Sequence, residues 1–143
     1  MTLTATKANG FAHADLGAFS KFLADGPGEK ISKQFLRDVL GLTGVEMSIT
    51  SYPPGVCMPF FHSHKQNEEV YLVLKGSGQM QLDDKLIDLS EGSIVRVDSS
   101  VSRNLKCGPD EDIVFLCIQA KTDSLEQCNK GDGKRENTAP LWE

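Results

Sequence analysis

Residues 60–78 read FFHSHKQNEEVYLVLKGSG. His62 and His64 stand two residues apart, and in an extended chain positions i and i+2 point to the same face. Two imidazoles on one face can converge on one cation. Glu69 follows after Lys65-Gln66-Asn67, a polar stretch that predicts an exposed turn. If the chain then returns antiparallel, Glu69 comes to the same side. Two imidazoles and a carboxylate on three corners of an octahedron leave positions open for water, substrate or oxygen. Beyond Glu69 the run is apolar at both parities. Tyr71 and Val73 share the Glu69 face, whereas Glu68, Val70, Leu72 and Leu74 point the other way. A strand apolar on both sides needs cover on both sides.

The extended signal continues in both directions. Val45, Met47 and Ile49 alternate with Glu46, Ser48 and Thr50 before Pro53-Pro54-Gly55 breaks the chain. Strands are predicted over 58–64, 69–75, 79–82, 85–89, 93–97, 102–106 and 112–120. Between them lie Lys75-Gly76-Ser77-Gly78, Asp83-Asp84, Ser90-Glu91-Gly92 and Gly108-Pro109-Asp110, all rich in turn formers. Many short strands without a long crossover helix predict an antiparallel sandwich or closed barrel. Upstream, Gly26-Pro27-Gly28 ends a mixed segment. The next stretch places Ile31, Phe35, Leu36, Val39 and Leu40 on one helical face, with Gly41 at the C-terminal cap. This predicts a short helix over 31–40, with a strand starting near Ile31 as the competing reading. Residues 121–143 are polar and predict an irregular tail, in which Trp142 should dock on the barrel or on a partner.

A chain of 143 residues fits one domain. Its hydrophobic share of 39% and charged share of 24% are ordinary for a globular protein and exclude disorder of the whole chain. A net charge of −5 repels phosphate backbones, so no nucleic acid is expected. No apolar run approaches the roughly 20 residues of a membrane span. The N-terminus has no continuous apolar segment of a secretory signal, and the four cysteines are widely spaced without a CxxC. Reduced thiols and a cytoplasmic location follow. Cys117, within an apolar run, reads as core; Cys57 reads as structural and His13 as a solvated surface residue.

Gly55, His62, His64, Glu69 and Gly76 together resemble the first motif of the cupin superfamily: Gly, a short spacer, His-x-His, three or four residues, Glu, six residues, Gly. The spacer after Gly55 is six residues, one longer than the common form. The resemblance covers roughly residues 44–120 and is greatest to small single-domain bacterial cupins. It implies an all-β fold, a cupin-type jelly-roll β-barrel with a site in its mouth. With the predicted helix and tail, the layout is an N-terminal extension over 1–43, a barrel over 44–120 and a tail over 121–143. The second motif of the superfamily matches only at Gly92. Asp98, Ser100, Arg103 and Cys107 stand where Pro, Gly, His and Asn are usual, so Arg103 takes the place of a metal-ligating imidazole. Guanidinium has no lone pair to offer a metal.

Two readings of the site follow. In one, His62, His64 and Glu69 hold a divalent metal (iron, manganese, nickel or zinc by ligand type). Arg103 then holds a carboxylate or phosphate of an anionic organic ligand. Met58 and Phe60, which share parity with the histidines, and Tyr71 are expected to line the same cavity as ligand contacts. Dioxygenase or isomerase chemistry would suit such a centre by fold-level analogy. In the other, no metal binds, Glu69 pairs with Arg103, and the cavity serves a non-catalytic binding or sensor module. Apolar Val70, Leu72, Leu74 and Phe61 on the outer face predict a homodimer.

Overall fold

The computed structural model describes residues 3–22 and 31–142; the turn expected at 26–28 lies outside them. A small hairpin of β1 (Thr6–Ala8) and β2 (Phe11–His13) and one 3-10 turn at Phe19–Lys21 precede the barrel. The barrel comprises β3 (Ser32–Phe35), α1 (Arg37–Leu40), β4 (Glu46–Tyr52), β5 (Asn67–Lys75), β6 (Gly78–Leu82), β7 (Lys85–Leu89), β8 (Ile94–Val97), β9 (Arg103–Cys107) and β10 (Ile113–Lys121). Five strands form one sheet in the order β3-β4-β10-β5-β8, and three form a second in the order β7-β6-β9. Every pairing in the two sheets is antiparallel, as the alternation predicts.

The predicted helix is shorter and later than its periodicity suggested. Residues 32–35 instead pair with β4, Ser32 opposite Ser51 and Phe35 opposite Ser48. An isolated helix of ten residues is marginal, whereas the open edge of β4 offers a full ladder of partners. Only one turn of helix survives, closed by Gly41 in the left-handed region at φ 71°. Gly76 is another glycine whose identity is forced. It has φ 80°, and a Cβ there would collide with the Asp112 carbonyl oxygen. That contact lets the β5–β6 turn close against the start of β10.

The predicted strand at 58–64 does not form. Cys57 bridges Lys106 and His62 bridges Arg103, so this segment spends five residue steps where β9 spends three. The excess loops out around Pro59, which has no N–H to give a ladder. Phe60 and Phe61 ride on that loop and are half exposed.

Two apolar clusters cover the two faces of the large sheet. Inside the barrel, Tyr52, Tyr71, Val73, Met80, Val97, Leu105, Ile113 and Phe115 pack together. Outside, Leu36, Ile49 and Val114 are covered by Leu3, Leu16, Phe22, Leu40 and Leu74. The N-terminal segment and the α1 region thus supply part of the outer cover. On β4 the polar parity faces inward: Met47 and Ile49 join the outer cluster, while Ser48 and Thr50 are buried on the barrel side. Among the described residues the tail after Lys121 forms neither helix nor strand, and Trp142 is 81% exposed. Docking of that ring on its own barrel, one of the two expectations, is therefore not seen. Among the described residues no helix is long and apolar enough to cross a membrane.

Candidate metal centre and ligand cavity

Glu69 enters the barrel from the third position of β5, on the face it shares with Tyr71 and Val73. The two histidines come from the irregular segment before β5. Their backbone is held to the second motif: the His62 and Arg103 amides and carbonyls exchange hydrogen bonds at 3.3 and 3.0 Å, and the His64 N–H donates to the Ser99 carbonyl at 2.7 Å. Two short anchors thus do the work of the missing strand. One nitrogen of His62, one of His64 and one Glu69 oxygen lie within 4.8 Å of one another. The imidazole rings are 5.2 Å apart and nearly perpendicular.

The two Glu69 oxygens have different neighbours. Oε2 accepts a hydrogen bond from the Tyr71 hydroxyl at 2.6 Å and lies 3.2 Å from Arg103 Nε. Oε1 lies 2.9 Å from His64 Nε2. That nitrogen is buried and has no aligned hydrogen-bond partner among the described residues. Two facing acceptors this close repel unless a proton or a cation lies between them. Three donors on facial corners of an octahedron at about 2.1 Å from one ion stand about 3.0 Å apart, so side-chain shifts of up to about 2 Å convert this cluster into a coordination set. The donors present therefore fit a divalent metal.

Burial pushes the Glu69 carboxyl up, but the Tyr71 hydroxyl, His64, Arg103 and His62 together outweigh it and hold Glu69 below its ordinary value. Burial lowers His62 by more than Glu69 raises it, which keeps the ring neutral with a lone pair to offer. Tyr71, buried against the Glu69 charge, is pushed far up and remains a donor.

Arg103 is 1% exposed. Its Nη1 donates to the Val101 carbonyl at 2.6 Å and the Ser99 carbonyl at 3.3 Å, and its Nε faces Glu69. Nε, though 3.2 Å from Glu69 Oε2, makes no aligned hydrogen bond, and Nη2 has neither a hydrogen bond nor an ion pair among the described residues. The guanidinium therefore orients the carboxylate and braces the turn before β9, and it retains a single nitrogen for an anion instead of a bidentate fork.

A cavity of about 170 Å³ opens beside this cluster. His62, Glu69, Tyr71, Arg103 and Met58 line it, as do Tyr52, Met80, Leu105, Phe115 and Cys117. Phe60, expected there from its parity with the histidines, is instead 53% exposed beside the His62 ring, because the looped-out residues reset the parity. Four further lining residues, Ile31, Lys33, Thr50 and Asn104, were not expected in the cavity from the sequence. Ile31 and Lys33 lay within the predicted helix. Thr50 carried the one available signal, a polar residue at every second position of a strand that has no exposed face. Burial pushes the Cys117 thiol up to about 12, with the Glu69 charge adding to it, so it stays protonated. All four cysteines are unpaired, with Cys107 and Cys117 buried and Cys57 and Cys128 exposed.

Residues 48–119 match the family model described as Cupin domain. The chain is similar to a cupin protein from Bacteroides fragilis, with 38% identity, TM-score 0.69, and 80% of this chain and 95% of that one covered. A Thermus thermophilus protein shares 14% identity at TM-score 0.61, over 73% and 95% of the two chains. A sugar phosphate isomerase of the cupin superfamily from Silicibacter pomeroyi shares 19% identity at TM-score 0.58, over 64% and 60%. No curated protein matches the sequence.

Proposed function

The chain belongs to the cupin domain family, and from that premise we propose that it holds a divalent metal on His62, His64 and Glu69 and binds a small anionic organic ligand in the adjoining cavity. The observation that carries this reading is the buried His64 Nε2, which faces a Glu69 oxygen at 2.9 Å without a hydrogen bond and lies beside a second, neutral imidazole. Three protein donors leave open positions on a six-coordinate ion. A bound ion supplies Lewis-acid or oxygen-activating chemistry there, of the kind an isomerase or dioxygenase uses. The chain's own residues bind and orient. Tyr71 and Arg103 fix the carboxylate, and the apolar walls of Tyr52, Met58 and Phe115 exclude water from the ligand. Iron, manganese, nickel and zinc all suit two imidazoles and a carboxylate.

The test is elemental analysis of protein purified without a histidine tag, before and after incubation with ferrous iron, manganese or zinc. The proposal expects about one ion per chain. A stoichiometry well below one under every condition removes it. The Glu69–Arg103 pair favours a second reading, in which the guanidinium neutralises the carboxylate and the cavity serves a metal-free binding or sensor module. The same measurement separates the two.

We also propose a homodimer formed through the outer face of β5 and β8. Leu72 there stands opposite Ile94, which is 68% exposed. The reduced cysteines and acidic surface support a cytoplasmic chain without nucleic-acid or membrane partners.

A further inference from the structure

We infer that Lys33 and Thr50 form a second subsite in this cavity, which holds an oxyanionic group at the end of the ligand remote from His62, His64 and Glu69. The inference rests on the ligand reading above and names the ligand class: a small organic acid with anionic groups at both ends.

Thr50 is 2% exposed and lines the cavity, yet its hydroxyl has no hydrogen-bond partner among the described residues. A buried hydroxyl left unpaired is destabilising, so such a group on a cavity wall is a place where a ligand atom belongs. Lys33 is the register partner of Thr50 across β3 and β4. Directly opposed residues have Cβ atoms about 4.5–5.5 Å apart, so the ammonium and the hydroxyl can reach one guest together. Lys33 lines the same cavity from its exposed rim, with its ammonium 4.9 Å from the Phe35 ring centre.

The subsite is distinct from the metal donors. On β10, Thr50 stands opposite Phe115 and Glu69 opposite Gln119. Four residues of strand separate those levels, but the Lys33 ammonium leans over Phe35, which pairs with Ser48 and so stands level with Cys117, two residues or about 7 Å along the strand from the Glu69 level. One carboxylate cannot serve both ends, and a short chain carrying two anionic groups can. Charge points the same way. Around the cavity, Arg103 and Lys33 face the single carboxylate of Glu69, and a divalent ion would add to the positive excess. A doubly anionic guest neutralises more of it than a singly anionic one.

The test is calorimetric titration of the full chain, first with zinc alone and then with propionate, succinate and 3-phosphonopropionate as probes. Either doubly anionic probe should bind at least about tenfold tighter than propionate, and the tighter of the two identifies the oxyanion as carboxylate or phosphate. Lys33→Met should abolish that preference and Thr50→Val should cut it about fivefold, both at unchanged zinc affinity. Equal affinity for propionate and both dianions, or a preference that survives both substitutions, overturns the subsite. Failure of zinc to bind overturns the metal reading instead. The same three probes on the metal-free chain then decide the subsite by the same ratio.

Discussion

Replacing Arg103 by methionine removes a guanidinium of similar bulk from a site that is 1% exposed, and it leaves the Glu69 carboxylate buried without its cation. The substitution also forfeits the bonds from Nη1 to the Val101 and Ser99 carbonyls. Breaking a buried pair from one side costs about 3–5 kcal/mol, because the surviving charge remains desolvated. For a chain of this length that lowers Tm by roughly 10–15 °C. The loss depends on pH with a definite sign. In the native chain the Glu69 value is depressed, so its contribution is present above the unfolded value of about 4.3 and fades as pH falls through the folded value. Without Arg103 one of the groups that offset burial is gone and the folded value rises relative to the native chain, so the variant loses stability at neutral pH and the loss fades as Glu69 protonates. The gap between the two proteins should therefore narrow as pH approaches about 4. Urea titrations followed by far-UV circular dichroism measure it, because the exposed Trp142 is a poor reporter of unfolding. Saturating zinc, by placing a cation on the other carboxylate oxygen, should restore about 2.7 kcal/mol at one hundred times its dissociation constant. A loss below about 1 kcal/mol at pH 7, or one independent of pH, would refute the assignment of Arg103 as the counter-charge of Glu69.

Four further outcomes follow from the same contacts. His62→Ala and His64→Ala should each abolish metal uptake while leaving the circular dichroism spectrum unchanged, since both rings border a cavity; global unfolding would show that they are core supports instead. Gly76→Ala should destabilise by more than the roughly 1 kcal/mol of an ordinary glycine replacement, because strain at φ 80° adds to the collision with the Asp112 carbonyl, and a neutral result in urea would place that turn elsewhere. The native protein should lose stability as pH rises above about 9, because unfolded Cys117 and Tyr52 ionise near their ordinary values while both are held up to about 12 in the fold; flat stability from pH 9 to 11 would contradict their burial. Sedimentation at micromolar concentration should show a dimer, and a ~16 kDa species alone would remove the proposed interface.

The barrel was readable because its strands alternate and its turns carry Gly, Pro and Asp at the right intervals. The reading failed where two periods fit the same residues. Ile31 and Phe35 satisfy a helical spacing, yet the open edge of β4 claimed residues 32–35 for a strand. It failed again at 58–64, because a loop of surplus residues cannot be counted without knowing how many steps the partner strand takes. That one uncertainty misplaced Phe60. The convergence of His62, His64 and Glu69 was nevertheless legible, since backbone bonds to Arg103 and Ser99 hold the histidines in place without a strand. Lys33 and Thr50 were hidden for separate reasons. Lys33 lay in the residues read as helix, and the meaning of Thr50 depends on which face of β4 is inside, where a polar cavity reverses the usual rule that the apolar parity marks the interior.

Anomalous diffraction from crystals of the tag-free protein equilibrated with zinc or manganese tests the central claim most directly. The account predicts one peak at bonding distance from His62, His64 and a Glu69 oxygen, on the side of the carboxylate away from Arg103. A fully equilibrated crystal with no density there, or with the ion bound elsewhere, would contradict it.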